Sequence, residues 1–413
     1  MHVQTLNDNK ISKSIFIILL LLAFSIPLST SMTSILSLIF MLLWIIEGDF
    51  SAKITYIWQN KACFSSILVL VSLMIGALYS SANFEEILFY LKKMSKLIYL
   101  PFFISYFNNP KQREWTINSL IIAGIFTATI GLIYYKANPF KNTIDTSLII
   151  TTTTFLLMHK LDIKNKLHIN AAIILSISIN VFYLFYISAG RTSQLIFLLL
   201  IPIFFIQKIN LTQKKLTTVT IAIIPILMII ITITFCGLLS KPLINNWSRI
   251  IHQYNDYQTN PTSYDQNSIS QRLVYYKNTF NLIKEKPLLG WGTGSFPIVY
   301  KNFIIKHNLF TTNKHEYSYP TNPHNEYLLF GTQLGICGIG LLLWLFYVLF
   351  NASFIIQSYE KYILQGIIII ISIGCLTNSW LMDFTSGYLF IILTAISLGA
   401  LPHARIIRNN GTV

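Results

Sequence analysis

Apolar runs of about 17–25 residues recur along almost the whole of this 413-residue chain, and a helix of that length crosses roughly 30 Å of hydrocarbon. Inside a bilayer the backbone must satisfy its own polar groups, which a helix does within a single segment. Composition agrees: 54% of the residues are hydrophobic and 11% charged, against roughly 25% charged in ordinary soluble domains. The chain therefore reads as an all-α polytopic membrane protein. Its first apolar run, after Lys10 and Lys13, is closed by no small-x-small cleavage site and is followed at once by another. It is expected to remain as the first helix rather than leave as a signal peptide.

Twelve spans are predicted, at approximately 14–29, 32–47, 63–80, 90–107, 116–135, 145–159, 168–188, 192–207, 217–239, 326–350, 362–380 and 386–402. Lys92, Lys93 and Lys96 interrupt the fourth, which better fits an amphipathic surface helix leading into a short or tilted span. The division that follows is a membrane domain at 1–239, a long loop at 240–325, and three spans with a short tail at 326–413.

Basic residues set the orientation. With both termini inside, the short inner loops and tails carry half of the 30 lysines and arginines, Lys53, Lys61, Lys111, Arg113, Lys160, Lys208 and Lys361 among them. Short outer connections hold only Lys136, Lys141, Arg191 and the Lys92/Lys93/Lys96 cluster. The rest lie in the long loop, which can translocate whatever its charge. The expectation is a cytoplasmic location for both termini and an outer location for the loop.

Much of the net charge of +15 is then retention of inner loops against anionic lipid. Basic residues dispersed among spans give no support to nucleic-acid binding. Cys63, Cys236, Cys337 and Cys375 stand far apart in or beside apolar runs. They read as small buried side chains rather than a disulfide framework or a metal site.

The long loop has a composition of its own. Lys241, Arg249, Arg272, Lys277, Lys284, Lys286, Lys301, Lys306 and Lys314 face only Asp256, Asp265, Glu285 and Glu316, and tyrosines are frequent. Cations for phosphate and flat rings for pyranose faces suit an anionic, sugar-bearing ligand; a loop lying on anionic headgroups has the same composition. Within it, Leu273, Tyr276, Phe280 and Ile283 predict an amphipathic helix over Ser268–Lys286, with Arg272 in its first turn. Pro287 stops that helix, and Gly290-Trp291-Gly292-Thr293-Gly294 reads as a tight turn.

Two further positions lie where apolar runs meet the outer boundary. Arg191 follows Ser188-Ala189-Gly190, with Leu195 four residues on. Arginine near hydrocarbon is costly and marks function or a snorkelling side chain, and its planar fork suits a pyrophosphate. At the end of the loop, Asn322 is a good N-cap and Pro323 a good first helical residue, which predicts His324 and Asn325 in the first turn of the tenth span. A histidine there sits beside a lipid-borne substrate while reaching water. The positive helix end disfavours imidazolium and keeps the ring able to accept a proton. Gly331, Gly335 and Gly338 are spaced for close approach of a neighbouring helix. A capping histidine on a glycine-packed helix is the competing account.

Together these residues carry a resemblance. His324-Asn325-x9-Gly335-x-x-Gly338 is similar to the histidine motif of the O-antigen ligase (Wzy_C) superfamily, and Arg191-x3-Leu195 resembles its arginine motif. Arg272 followed by Lys286-Pro287-Leu288-Leu289-Gly290-Trp291-Gly292-Thr293-Gly294 resembles the pattern of its large periplasmic loop. Ile339 stands where a threonine is common in that family, and the N-terminal half adds nothing diagnostic.

The resemblance implies a GT-C-type membrane glycosyltransferase, active at the periplasmic face of a bacterial inner membrane without a cofactor or metal. It implies an undecaprenyl-pyrophosphate glycan as donor and a lipid A-core sugar as acceptor. Arg191 and Arg272 would hold pyrophosphate, with Arg249 as a further candidate. His324 would act as general base, with Asn325 beside it, and Asp383 would orient the histidine or the acceptor or merely cap a span. An O-antigen polymerase, a protein O-oligosaccharyltransferase and a lipid-linked glycan transporter are the rival readings. No paired Arg-x15-Gly pattern supports the first, no large domain after the last span the second, and no charges deep in several spans the third.

Overall fold

The computed structural model describes residues 10–162, 165–211, 268–307 and 319–401, with positions 248, 251, 252, 254, 255 and 309 besides. Among these the chain is helical, without strands. In order come α1 (Lys10–Ser25), α2 (Thr30–Glu47), α3 (Phe50–Gln59), α4 (Lys61–Leu78), α5 (Phe84–Met94), α6 (Tyr99–Ile104), α7 (Pro110–Ile133), α8 (Thr143–Lys160), α9 (Leu167–Phe182) and α10 (Arg191–Leu211). Then follow α11 (Ser268–Glu285), α12 (Phe296–Lys306), α13 (Glu326–Ser353), α14 (Glu360–Gly374) and α15 (Phe384–Leu398).

Among the described residues six helices are long and apolar enough to cross a membrane: α2, α4, α7, α9 with its π-turn to Ile187, α10 and α13. Helices also stand at five other predicted spans, but they miss that standard. At 1.5 Å per residue the 16 residues of α1 fall short of roughly 30 Å, and the fourth stretch is broken at Ser95–Ile98 into α5 and α6, as its lysines suggested. The helix α8 is long enough yet carries Thr151–Thr154, and it is buried from Asp145 to His159. The predicted span 217–239 lies outside the described residues, as do Cys236 and Arg249.

Burial explains the composition of the inner helices. α8 packs against α7, α9, α10, α14 and α15, and α15 is buried from Thr385 to Leu398. A helix enclosed all round needs no polar face, and Thr151 and Thr154 give their hydroxyls to the carbonyls of Ser193 (3.2 Å) and Ile150 (2.7 Å). The lipid-length helices instead keep exposed apolar rows, such as Ile35, Leu38, Leu42 and Ile46 on α2.

The two ends of the bundle differ. One holds the ion pairs Lys53–Glu47 (2.8 Å), Arg113–Glu360 (2.6 Å) and Lys160–Glu114 (3.1 Å). Arg113 also donates to the carbonyls of Phe107, Asn108 and Gly399 there. These basic residues are the ones that charge counting assigns to inner loops. The opposite end collects the α4–α5 connection, the α9–α10 corner, α11, and the loops before α13 and α15.

That second end is built around a break in α13. Gly335 has φ +64 inside the helix, a left-handed conformation that side chains resist, and the carbonyls of Thr332 and Gln333 accept from the N–H groups of Trp291 and Gly292 (2.8 Å each). Ile336 in turn donates to the Pro287 carbonyl (2.8 Å). The glycine-rich turn after α11 is thus docked into the break. Gly290, at φ +67, has no room for a Cβ against the Thr332 carbonyl. The partner that Gly335 admits is therefore a turn, not the neighbouring helix expected from the glycine spacing.

On α11 the predicted bounds hold to one residue, but the buried stripe is different. Val274, Asn278 and Leu282 face inward, while Phe280 is exposed beneath Lys284, whose ammonium sits 4.7 Å from its ring.

Candidate functional site

The segment Asn322–Asn325 takes a shape other than the one expected from its sequence. Asn322 Oδ1 accepts the His324 N–H (2.9 Å), an Asx-type turn that uses up the oxygen a cap would need. Asn325 has the extended backbone of an N-cap, and its Oδ1 accepts the Leu328 N–H (3.0 Å). The helix begins at Glu326, so His324 lies ahead of α13 rather than within its first turn. Its φ is +53. A non-glycine residue in this region is uncommon and worth about 1–3 kcal/mol of strain, which the surroundings must hold in place.

Those surroundings are α11 and the loop between α14 and α15. The Tyr276 hydroxyl reaches the carbonyls of His324 (3.0 Å) and Leu376 (2.9 Å), and Asn325 Nδ2 donates to the same Leu376 carbonyl (2.9 Å). The Tyr275 ring stacks on the imidazole, 6.4 Å between centroids and 21° between planes. Below them the buried Glu326 carboxylate accepts the N–H groups of Leu381 (3.1 Å) and Met382 (3.4 Å), while its own N–H donates to the Cys375 carbonyl (2.8 Å). Lys96 supports the loop from the other side by donating to the Met382 carbonyl (2.7 Å).

The same loop receives both arginine-bearing helices. Arg272 Nη2 donates to Oδ1 of the buried Asn378 (3.3 Å). One residue earlier in the loop, Thr377 meets the Thr192 hydroxyl (3.1 Å), and Thr192 follows Arg191, the first residue of α10. His324, Asn325, Arg272 and the start of α10 therefore converge on Leu376–Asn378.

Asp383 does not join them. It occupies the N-cap position of α15 without a side-chain cap bond, so a capping role fails. Burial, then the Asp145 carboxylate, raise its pKa to about 6, while Lys96 and Lys93 pull it down. Its electrostatic neighbours are Asp145, Lys96, Lys93 and Glu326.

Burial, and next the Arg272 guanidinium, hold the His324 imidazole below the ordinary histidine range. Burial first and Arg272 second thus disfavour imidazolium, where the sequence pointed to the helix end. A neutral imidazole accepts a proton, and a guanidinium beside it binds an anionic oxygen. Such a pair suits a reaction in which a hydroxyl loses a proton as an anion departs. Among the described residues no three His, Cys, Asp or Glu side chains gather so as to hold a metal ion.

Sequence reasoning gave no site role to Tyr275, Tyr276, Glu326, Lys96 or Asn378. Glu326 adjoins the His-Asn pair, and a carboxylate opening an apolar run was a usable signal; Asn378 offered none. No curated protein matches the chain. Residues 172–345, from α9 into α13, match the family model described as Wzy_C, O-Antigen ligase.

Proposed function

We propose that this protein is an O-antigen ligase of the bacterial inner membrane, transferring a glycan from undecaprenyl pyrophosphate to a sugar hydroxyl of lipid A-core on the periplasmic side. The observation that carries the reading is the convergence of His324, held at φ +53, and Arg272 of α11 on the loop Leu376–Asn378, within the stretch that matches that family's model. His324 takes the proton from the acceptor hydroxyl as its oxygen bonds to the anomeric carbon. The bond from that carbon to pyrophosphate oxygen breaks, and undecaprenyl pyrophosphate leaves. Arg272, held by Asn378, and Arg191, at the start of α10, stabilise the departing charge. Asn325 holds the histidine's loop to Leu376. Arg249 is left as a further candidate for the clamp.

The test is reconstitution. Purified protein, undecaprenyl-pyrophosphate glycan and lipid A-core from a strain lacking O-antigen should give lipid A-core carrying the whole glycan. In cells, deletion should remove the lipopolysaccharide ladder and leave core alone. Core bearing a single repeat would instead identify a polymerase and overturn the ligase assignment.

A further inference from the structure

Next to the site lies a cavity of about 420 Å³, within the roughly 300–1,000 Å³ range of small-ligand pockets. It adjoins the catalytic loops through Thr321, three residues before His324, and Met382, four residues after Asn378. Its walls include Glu85, Glu86, Phe89 and Tyr90 of α5, Phe296 of α12 and Gln333 of α13. Among the described residues, no lysine or arginine lines it.

Three polar groups in those walls are left over. The Tyr90 hydroxyl lies beside Gln333, yet among the described residues neither it nor Gln333 Nε2 closes a hydrogen bond of proper geometry. Both residues are more than nine-tenths buried. Gln333 Oε1 accepts the Gly294 N–H (2.8 Å), so the docked turn fixes which end of the amide is spare. Glu86 Oε2 is also buried without a partner. Acidic residues in a first helical turn are ordinary, because they favour the positive end; a carboxylate oxygen removed from solvent and unmatched is not. Buried polar groups are nearly always paired, and exceptions call for an explanation.

We infer that this cavity binds the neutral sugar end of the acceptor, with Glu86, Tyr90 and Gln333 as its specificity residues. The inference rests on the transferase reading above. A ligand for this cavity must donate to a carboxylate and exchange hydrogen bonds with a phenol and an amide, which sugar hydroxyls do. The rings of Phe89, Tyr90 and Phe296 offer flat apolar faces to a pyranose. Carboxylates without cations repel phosphate, so the pyrophosphate belongs with Arg272 and Arg191. Donor and acceptor are thereby sorted by charge on either side of His324.

Two measurements on the full-length protein in nanodiscs test this. In the transfer assay, Tyr90→Phe and Glu86→Gln should each raise KM for lipid A-core about tenfold, roughly the effect of losing one hydrogen bond, with donor KM and kcat little changed. Tyr90→Phe removes a hydroxyl that closes no hydrogen bond of proper geometry among the described residues, so a purely structural role forecasts an unaltered KM and an equal or higher melting temperature. In saturation-transfer NMR, methyl α-glucoside and methyl α-galactoside should give signals that the variants lose and inorganic pyrophosphate leaves intact. Unchanged acceptor KM and unchanged sugar signals in both variants would overturn the inference while leaving the ligase reading standing. Displacement of the glycosides by pyrophosphate would overturn it as well. Sugar signals lost in the variants, from a wild type that transfers nothing, would keep the cavity and remove the ligase.

Discussion

Gly335 lies against the backbone of Leu288, so closely that a Cβ on it would overlap the Leu288 carbonyl. This contact seats the glycine-rich turn in the break of α13 and thereby orders everything around His324. Gly335→Ala should cost about 1–3 kcal/mol from its left-handed backbone, and more from the overlap. Gly340, five residues on in the same helix, has nothing within 4 Å of the position a Cβ would take, and Gly340→Ala should be neutral or slightly stabilising. Thermal unfolding of the two variants in detergent compares them directly; equal melting temperatures would contradict the docking.

His324→Ala should abolish transfer in a protein that still folds and inserts. Loss of a positioned base typically costs about 10²–10⁴-fold in rate. His324→Arg should be equally inactive, because a permanently charged guanidinium cannot take a proton. Partial rescue by arginine in the reconstituted assay would mean that the imidazole only binds pyrophosphate.

The pH dependence has a definite sign. Burial and Arg272 lower the His324 pKa, so the base form persists as pH falls, and the acid limb of kcat/KM should lie below about 6.5, the free histidine value. Folding stability tied to this group is fully present above that value and is lost as pH falls towards the lowered one. Arg272→Gln removes one of the two causes, and should move the acid limb upward. An acid limb that stayed in place would separate Arg272 from the histidine.

Asn378 accepts from Arg272 while buried. Asn378→Leu keeps the branched shape, frees the guanidinium and should raise donor KM about tenfold, the scale of a hydrogen bond to a charged group, with acceptor KM unmoved. Arg272→Lys should be worse, since an ammonium cannot hold both the asparagine and a pyrophosphate in a planar fork. Separate titrations of donor and acceptor decide the matter.

Reporter fusions ending at Asn165 and at Lys306 should report cytoplasm and periplasm, as the basic residues direct. A cytoplasmic Lys306 would place the site on the wrong side for a periplasmic acceptor.

What could be read from the chain follows from the range of each signal. Helix positions came from runs of twenty apolar residues, and α11 from the interval between Ser268 and Pro287. Its inward face did not, because Leu273, Tyr276 and Phe280 repeat with the same period as Val274, Asn278 and Leu282, and only packing chooses between the stripes. The start of α13 was misplaced because Asn322 and Asn325 both suit a cap; the Asx turn settles the contest. His324 stands out in the sequence as a histidine at a membrane edge, whereas Arg272 is singled out only by the resemblance of its loop to the family pattern. Asn378 was not, because a neutral amide acquires its importance from a partner 106 residues away.

The left-handed backbone at His324 means that the fold itself would favour a different residue there. Glycine accepts that geometry without strain, so variants chosen for thermal resilience alone should tend to discard the histidine. Stability and turnover pull in opposite directions at this one position, and a screen that reads only one of them will rank its mutants backwards.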